Sequence, residues 1–128
     1  MNNFKKIVFV EDDPDVRDLI DMALNVVGGL EATGFASGAD AVEEASDCEP
    51  QLILLDVMMP DMDGPTTLKN LRTQPKLANV PVTFLTAKVH PKEIERLRSM
   101  GVDAVLAKPF DPMTLAADLQ TIWEESKA

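Results

Sequence analysis

Residues 52–64 read LILLDVMMPDMDG. The four consecutive apolar residues Leu52–Leu55 are typical of a short strand that is buried on both faces of a parallel sheet. Asp56 follows directly, and the residues after it include a proline, two further acids and a glycine. The segment therefore predicts a strand that ends at a carboxylate and opens into a loop, which is where α/β proteins place their ligands.

Other segments of the chain repeat this pattern of short apolar runs. Three further buried strands are predicted at Ile7–Val10, Val82–Leu85 and Val102–Ala107. A weaker strand at Glu31–Ala36 lacks a long apolar run, which favours an edge of the sheet. Between the runs, apolar residues recur at three- and four-residue steps, most clearly from Val16 to Val27, where they predict one amphipathic helix that stops at Gly28. The alternation predicts a doubly wound α/β domain of about five βα units.

Capping residues followed by proline mark the predicted starts of several helices. Such pairs occur at Asp13–Pro14, Gly64–Pro65 and Asp111–Pro112, and Ser37 with Asp40 resembles a capping box. The corresponding helices are expected at roughly Pro65–Arg72, Pro91–Met100 with Gly101 as its stop, and Pro112–Glu125.

Length and composition restrict the class of protein. The 128 residues suffice for one domain with a hydrophobic core. The sequence shows no linker that would lead to an output domain, so we expect a single domain over residues 1–128. No segment is apolar enough to span a bilayer. One cysteine, Cys48, and one histidine, His90, cannot build a zinc site, and a reducing cytoplasmic setting is expected. The net charge of −10 disfavours direct binding to nucleic acid or anionic membrane, which leaves proteins or cations as partners.

Chemically active side chains follow the predicted strands at what should be one edge of the sheet. These are the acidic triplet Glu11–Asp13, then Asp56, Thr86 and Lys108. Crowded carboxylates repel one another, and a divalent cation removes that cost. Oxygen ligands without histidine or cysteine suit Mg²⁺, which leaves Asp56 as a nucleophile toward a phosphoryl donor. Lys108 supplies an ammonium to the transferred group, and Thr86 supplies a hydroxyl that senses it.

Four segments together resemble the signature segments of CheY-like response-regulator receiver domains. They are VFVEDDP at residues 8–14, LILLDVMMPDMDG at 52–64, VTFLTA at 82–87 and AVLAKPF at 104–110. The resemblance covers nearly the whole chain, with the segments in the right order and at fitting separations. It implies a three-layer αβα, flavodoxin-like domain with a five-stranded parallel sheet in the order 2-1-3-4-5.

The resemblance assigns the metal-binding and phosphoacceptor roles. Asp56 is the implied site of phosphorylation. Glu11 and Asp12 form the acidic pair that holds Mg²⁺ together with Asp56, and the backbone carbonyl of Met58 is a further ligand. The pair Asp12 and Asp13 remains an alternative, although Pro14 makes Asp13 a good helix cap.

The resemblance also implies a phosphate-binding and switch group. Thr86, with Ala87 beside it, and Lys108 would contact the phosphoryl group, and the peptide bond between Lys108 and Pro109 is expected to be cis. Val105 departs from the family, which often has an aromatic residue there that rotates inward. Valine cannot make that rotation, so signalling is expected to rely on loop and helix shifts, or the position is passive.

The implied function is that of a two-component signalling switch. Phosphate would come from a sensor histidine kinase or a histidine phosphotransfer protein, and a downstream protein would bind the last two helices and strand. The chain would be a monomer or a phosphorylation-dependent dimer, with no enzymatic activity beyond its own phosphotransfer and autodephosphorylation. A phosphorelay intermediate, a piece of a longer protein and a magnesium-dependent phosphohydrolase remain alternatives, although Met58 occupies the place of a second acid in a hydrolase DxD motif.

Several conspicuous residues have simpler interpretations. Cys48 and Trp123 are expected to be packing residues, and His90 an exposed residue at a helix start. The methionines of residues 58–62 are interpreted as packing rather than as ligands of a soft metal. The charged stretch Lys92–Arg98 is interpreted as a solvated helix face rather than a nucleic-acid patch.

Overall fold

Five parallel strands form one sheet in the computed structural model, which describes residues 3–127. The strands are β1 Lys6–Val10, β2 Glu31–Phe35, β3 Leu52–Asp56, β4 Val82–Thr86 and β5 Ala104–Ala107, in the order β2-β1-β3-β4-β5. The helices are α1 Pro14–Asp21, α2 Gly38–Glu44, α3 Gly64–Arg72, α4 Pro91–Arg98 and α5 Leu115–Ser126. The predicted fold class, the strand order and the edge position of β2 are confirmed. No helix within residues 3–127 is both long and apolar enough to cross a lipid bilayer.

Helices cover both faces of the sheet, which explains the unbroken apolar runs. In β1, Val8 and Val10 belong to a core cluster with residues of α2, α3 and α4. Ile7 and Phe9 point the opposite way, into a cluster with residues of α1 and α5. Successive side chains of a strand alternate between faces, so a strand covered on both sides needs an apolar residue at every position.

The second half of the first helical segment is π-helical, from Met22 to Val27. The sequence predicted one amphipathic helix that stops at Gly28, and the helical segment does end there, but the change from α-helix to π-helix after Asp21 was not predicted. The Asn25 side chain donates to the carbonyl of Ala32 at 3.1 Å and accepts from its N–H at 2.8 Å, which ties the segment to β2. A Cβ on Gly28 would lie 2.4 Å from the Cβ of Ala116 on α5, so Gly28 also permits close helix packing.

Three predicted boundaries in the last third of the chain also differ from the structure. Strand β5 begins at Ala104 rather than Val102, and helix α5 begins at Leu115 rather than Pro112. The Asp111 carboxylate accepts from the N–H of Met113, and the Asp111 carbonyl accepts from the N–H of Leu115. Asp111 therefore forms a turn ahead of α5 instead of capping it. Helix α4 likewise ends at Arg98, before the predicted Met100.

Candidate functional site

Three carboxylates converge at the carboxyl edge of the sheet. Glu11 and Asp12 follow β1, Asp56 ends β3, and one carboxylate oxygen of each lies within 4.8 Å of the others. Strands β1 and β3 are neighbours in register, with Val10 opposite Leu55, so their ends reach the same point. Glu11 and Asp56 are only 1% and 4% exposed, while Asp12 is half-buried.

Asp13 is not a member of this group, because it caps α1. Its side chain accepts from the N–H groups of Asp15 at 2.9 Å and Val16 at 3.4 Å. Its own N–H donates to the Glu11 carboxylate at 3.2 Å. Of the two acidic pairs left open by the sequence, the structure brings together Glu11 and Asp12 with Asp56.

Arg17 is a supporting residue that the sequence reasoning missed. From the first turns of α1, its guanidinium donates to the backbone carbonyls of Glu11 at 3.0 Å and Asp12 at 3.3 Å. These two contacts hold the acidic turn against α1 through its backbone. A basic residue in a predicted helix, six positions after Glu11, is by itself too common a signal to identify this contact.

Lys108 provides a cation to the cluster. Its ammonium lies 2.8 Å from Glu11 Oε1 and 2.9 Å from Asp56 Oδ1, and the lysine follows the last residue of β5. The Lys108 N–H donates to the Thr86 carbonyl at 2.8 Å, and the Lys108–Pro109 bond is cis. The contacts with Glu11 and Asp56 place the Lys108 ammonium between the ends of β1 and β3.

Burial affects the ionisation of these groups. Desolvation raises the pKa of both Glu11 and Asp56, although the ammonium of Lys108 opposes it. The pKa of Lys108 is raised as well: desolvation acts to lower it, but the hydrogen bonds and charges of Glu11 and Asp56 together outweigh that effect. One ammonium is thus insufficient to make the buried carboxylates as acidic as they are in water.

The donor set of Glu11, Asp12 and Asp56 fits a hard divalent cation. All three ligand groups are carboxylates, and they are the one such cluster found within residues 3–127. Their crowding beside a single lysine leaves negative charge that Mg²⁺ would neutralise. Met58, whose carbonyl was a further candidate ligand, lies two residues beyond Asp56 with 59% of its surface exposed.

Thr86 ends β4 next to Asp56 and connects the site to the following loop. Asp56 lies opposite Leu85 in the sheet, so Thr86 extends one residue farther toward the edge. The side chain is buried, and Thr86 Oγ1 accepts from the N–H of Lys88 at 3.0 Å. The hydroxyl proton remains able to donate to another acceptor. Ala87, between these two residues, is exposed.

Gly64 has a role that the sequence did not reveal. A Cβ at this position would lie 2.6 Å from the carbonyl oxygen of Asp56 and 2.9 Å from the Cα of Val57. The start of α3 therefore packs directly against the backbone that carries Asp56. Gly64 was predicted as the helix cap, but the cap is Asp63, whose side chain accepts from the N–H of Thr66 at 2.9 Å.

The remaining candidates lie away from the carboxylates. Val105 is half-buried opposite Phe84, where it packs against the cluster on the α4 side of the sheet. Trp123 stacks on Phe4 with a centroid distance of 5.2 Å, which agrees with a packing role. His90 is exposed at the N-terminus of α4, as expected for a residue at a helix start.

Comparisons with known proteins agree on one family. Residues 7–120 match the response regulator receiver domain family. The chain is 32% identical to the transcriptional regulatory protein GltR of Pseudomonas aeruginosa, covering 94% of this chain and 49% of that protein. It is 31% identical to the DNA-binding dual master transcriptional regulator RpaA of Synechocystis, covering 91% and 48%. The structure of the Vibrio cholerae chemotaxis protein CheY4 superposes with a TM-score of 0.85 at 29% identity, covering 93% of this chain and 98% of that one.

The chain spans about half the length of these two curated relatives. The relatives are regulatory proteins, and one is named as DNA-binding. The expectation that there is no direct contact with nucleic acid is therefore not supported. The charge argument behind it concerned only these 128 residues, and it does not extend to the other half of a regulator of that length.

Proposed function

Because the chain belongs to the response regulator receiver domain family of two-component signalling, we propose that it is a switch phosphorylated on Asp56 in a magnesium-dependent reaction. The observation that carries the proposal is the meeting of three carboxylates and the Lys108 ammonium at the end of β3. Asp56 is buried, which restricts its side chain, and it lies at the carboxyl edge of the sheet, where α/β proteins bind their ligands and where a phosphodonor would approach.

The proposed reaction is attack by an Asp56 carboxylate oxygen on the phosphorus of a phosphohistidine. The new bond is an acyl phosphate O–P bond, and the bond that breaks is the P–N bond to the histidine ring, which leaves with its electron pair. Lys108 already contacts an Asp56 oxygen, so its ammonium can neutralise charge on the transferred group. Mg²⁺ held by Glu11, Asp12, Asp56 and the Met58 carbonyl would supply further charge neutralisation.

Thr86 is the proposed sensor of the phosphoryl group. The Thr86 hydroxyl proton would donate to a phosphoryl oxygen. The Lys88 N–H, which donates to Thr86 Oγ1, would then either move with the Thr86 side chain or lose this hydrogen bond. The change would thereby pass to the loop between β4 and α4, and to a downstream protein on α4, β5 and α5. Val105 offers no aromatic side chain to rotate, so loop and helix shifts are the proposed route.

A small groove beside Lys108 is the proposed docking place of the phosphodonor protein. It has a volume of about 270 Å³ and is lined by Val16, Leu19, Ala87, Lys108, Pro109 and Phe110. Leu19 and Met22 on the same helical segment are also partly exposed, at 37% and 43%. A sensor histidine kinase or histidine phosphotransfer protein could cover these apolar groups while its histidine reaches Asp56.

The remaining features of the proposal follow from the family. We propose a cytoplasmic receiver domain, over residues 1–128, that catalyses only its own phosphotransfer and autodephosphorylation, as a monomer or a phosphorylation-dependent dimer. A phosphorelay intermediate would have the same active site and differ only in its partners. Neither that role nor phosphohydrolase activity is favoured by a particular contact.

The test is intact mass spectrometry after incubation with acetyl phosphate, with Mg²⁺ and with EDTA. We expect a single phosphoryl adduct that requires Mg²⁺ and is absent from Asp56→Asn. Asp61→Asn is the matched control, because Asp61 is an exposed acid of the same loop and should leave the adduct unchanged. An adduct that persists in Asp56→Asn, or continuous hydrolysis of unrelated phosphate esters, would contradict the proposal.

A further inference from the structure

Arg17 places its guanidinium against the acidic turn, residues 11–13, without forming an ion pair with the acids of that turn. One terminal nitrogen, Nη1, donates to the backbone carbonyls of Glu11 and Asp12, and no carboxylate within residues 3–127 lies at ion-pair distance from the guanidinium. We propose that Arg17 is a positioning residue, which sets the place of the Asp12 carboxylate and thereby the affinity of the site for Mg²⁺. The inference rests on the proposed function, since it adds a residue to the same metal site.

The three carboxylates of the site differ in how their side chains are held. Glu11 is contacted by the Lys108 ammonium at 2.8 Å and by the N–H of Asp13 at 3.2 Å, and Asp56 is contacted by the same ammonium at 2.9 Å. The Asp12 carboxylate has no hydrogen bond or ion pair in the part of the chain that the structure describes, residues 3–127. The position of this carboxylate therefore depends on the backbone that carries it.

That backbone is held largely by Arg17. The N–H of Glu11 donates to the carbonyl of Phe35 on β2 at 3.0 Å, which fixes the turn where it leaves β1. Beyond this point, the guanidinium bonds to the carbonyls of Glu11 at 3.0 Å and Asp12 at 3.3 Å, and the Arg17 N–H donates to the carbonyl of Asp13 at 2.8 Å. Three consecutive carbonyls of the acidic turn therefore accept hydrogen bonds from one residue.

The charge of the guanidinium and its hydrogen bonds should affect Mg²⁺ binding in opposite directions. As a charge near the site, the guanidinium repels a dication, so its removal alone would strengthen Mg²⁺ binding, and salt weakens this repulsion. As a donor, it holds the backbone of Asp12, so its removal would weaken binding. Loss of a group that supports a metal ligand usually weakens binding by about 10–100-fold. The direction of the change therefore distinguishes the two roles.

A general loosening of the site is distinguished by combining two substitutions. If Arg17 acts through Asp12, its removal matters only while the Asp12 carboxylate is a ligand. In an Asp12→Asn protein, the further change Arg17→Ala should then affect Mg²⁺ binding little. A loosening that also reached Glu11 or Asp56 would lower the affinity of the Asp12→Asn protein as much as that of the wild type.

The experiment is a titration with MgCl₂ at constant ionic strength, followed by the NMR signals of the backbone amides. The proteins are the wild type, Arg17→Ala, Arg17→Lys, Asp12→Asn and the double variant Asp12→Asn/Arg17→Ala. The matched control is Lys69→Ala, which also removes one positive charge, from an exposed residue of α3 that forms no ion pair within residues 3–127. Urea denaturation in EDTA reports the stability of each protein without the metal.

We expect Arg17→Ala to raise the Mg²⁺ dissociation constant about tenfold, and Lys69→Ala to leave it unchanged. Arg17→Lys should raise it by less, because lysine keeps the charge and the donors on a side chain that is one bond shorter. In Asp12→Asn, the addition of Arg17→Ala should change the constant by no more than about twofold. An unchanged or lower constant in Arg17→Ala would overturn the proposal, and so would a full tenfold effect in the Asp12→Asn protein.

The same titrations separate this inference from the proposed function. If the wild type does not bind Mg²⁺, or if Asp12→Asn binds it equally well, the proposed metal site itself is contradicted. Binding that depends on Asp12 but not on Arg17 contradicts only the positioning role. If Arg17→Ala is unfolded without urea, Arg17→Lys decides: a dissociation constant equal to that of the wild type overturns the proposal, because lysine keeps the charge but lacks the length and planar geometry of the guanidinium.

Discussion

Magnesium should stabilise the folded protein through Asp12 and not through its neighbour Asp13. The structure places Asp12 in the carboxylate cluster, while Asp13 caps α1. An ion that binds only the native state at one site adds RT ln(1 + [Mg²⁺]/Kd) to the free energy of unfolding. Above the dissociation constant, this amounts to about 1.4 kcal/mol for each tenfold increase in Mg²⁺.

The perturbation is Asp12→Asn compared with Asp13→Asn, two neighbouring substitutions that each remove one negative charge. Loss of one of three carboxylates should shift the Mg²⁺ dependence of Asp12→Asn to concentrations at least about tenfold higher, because even the loss of a group that only supports a ligand usually weakens metal binding by about 10–100-fold. Asparagine caps helices about as well as aspartate, so Asp13→Asn should retain the wild-type dependence.

The assay is urea denaturation at a series of Mg²⁺ concentrations, with NaCl series at matched ionic strength for each protein. The NaCl series is needed because a chain with a net charge of −10 gains stability from screening alone. The reasoning is refuted if NaCl reproduces the whole Mg²⁺ effect. It is also refuted if Asp13→Asn loses the dependence and Asp12→Asn keeps it.

Three further predictions concern buried groups. The Thr83 hydroxyl is buried on β4 without a hydrogen-bond partner within residues 3–127, so Thr83→Val should raise the free energy of unfolding by about 1 kcal/mol. In Thr67→Val, by contrast, the hydroxyl that donates to a backbone carbonyl at 2.8 Å is lost, and the urea midpoint should fall. Desolvation raises the pKa of Glu11 and of Asp56 in the folded state, so the folded protein binds protons more tightly at these groups than the unfolded chain does. Their contribution to the free energy of unfolding is complete below the ordinary pKa values of 4.5 and 3.8, and it is lost as the pH rises through the raised pKa values of the folded state. Urea midpoints measured against pH in EDTA should therefore fall through that window in the wild type and less in Glu11→Gln, and a parallel profile in the variant would contradict the assignment. Gly64→Ala should slow acyl phosphate formation, because the added Cβ would lie 2.6 Å from the Asp56 carbonyl oxygen, and it should lower the free energy of unfolding by about 1–3 kcal/mol. An unchanged rate of formation, followed by intact mass, would show that the loop can move without affecting Asp56.

The sequence predicted the sheet and the members of the carboxylate cluster well, since both follow from local patterns. A strand buried on two faces needs consecutive apolar residues, and Leu52–Leu55 and Val82–Leu85 have them. Because the ends of adjacent parallel strands share an edge, Glu11 and Asp56 could be expected to meet once the strands were known. The chemical roles of these residues remain proposals.

Where prediction failed, the deciding contact joined two neighbouring elements of the structure or depended on the exact path of a turn. The π-helical end of the first helical segment is held by Asn25 through hydrogen bonds to Ala32, seven residues away. The cap of α3 is Asp63 rather than Gly64, because Gly64 is needed for close contact with the backbone of Asp56. Neither feature has a distinctive local pattern.

The amino-acid sequence by itself determined which chemical groups this protein carries and at which strand ends they stand, because hydrophobic periodicity and capping are properties of neighbouring residues. Only the tertiary structure decided that Asp12 joins Glu11 and Asp56 while Asp13 turns to α1, and that Lys108 bridges two buried carboxylates. Such choices depend on distances of a few ångströms between segments as many as 97 residues apart, and these are fixed when the helices pack on the sheet.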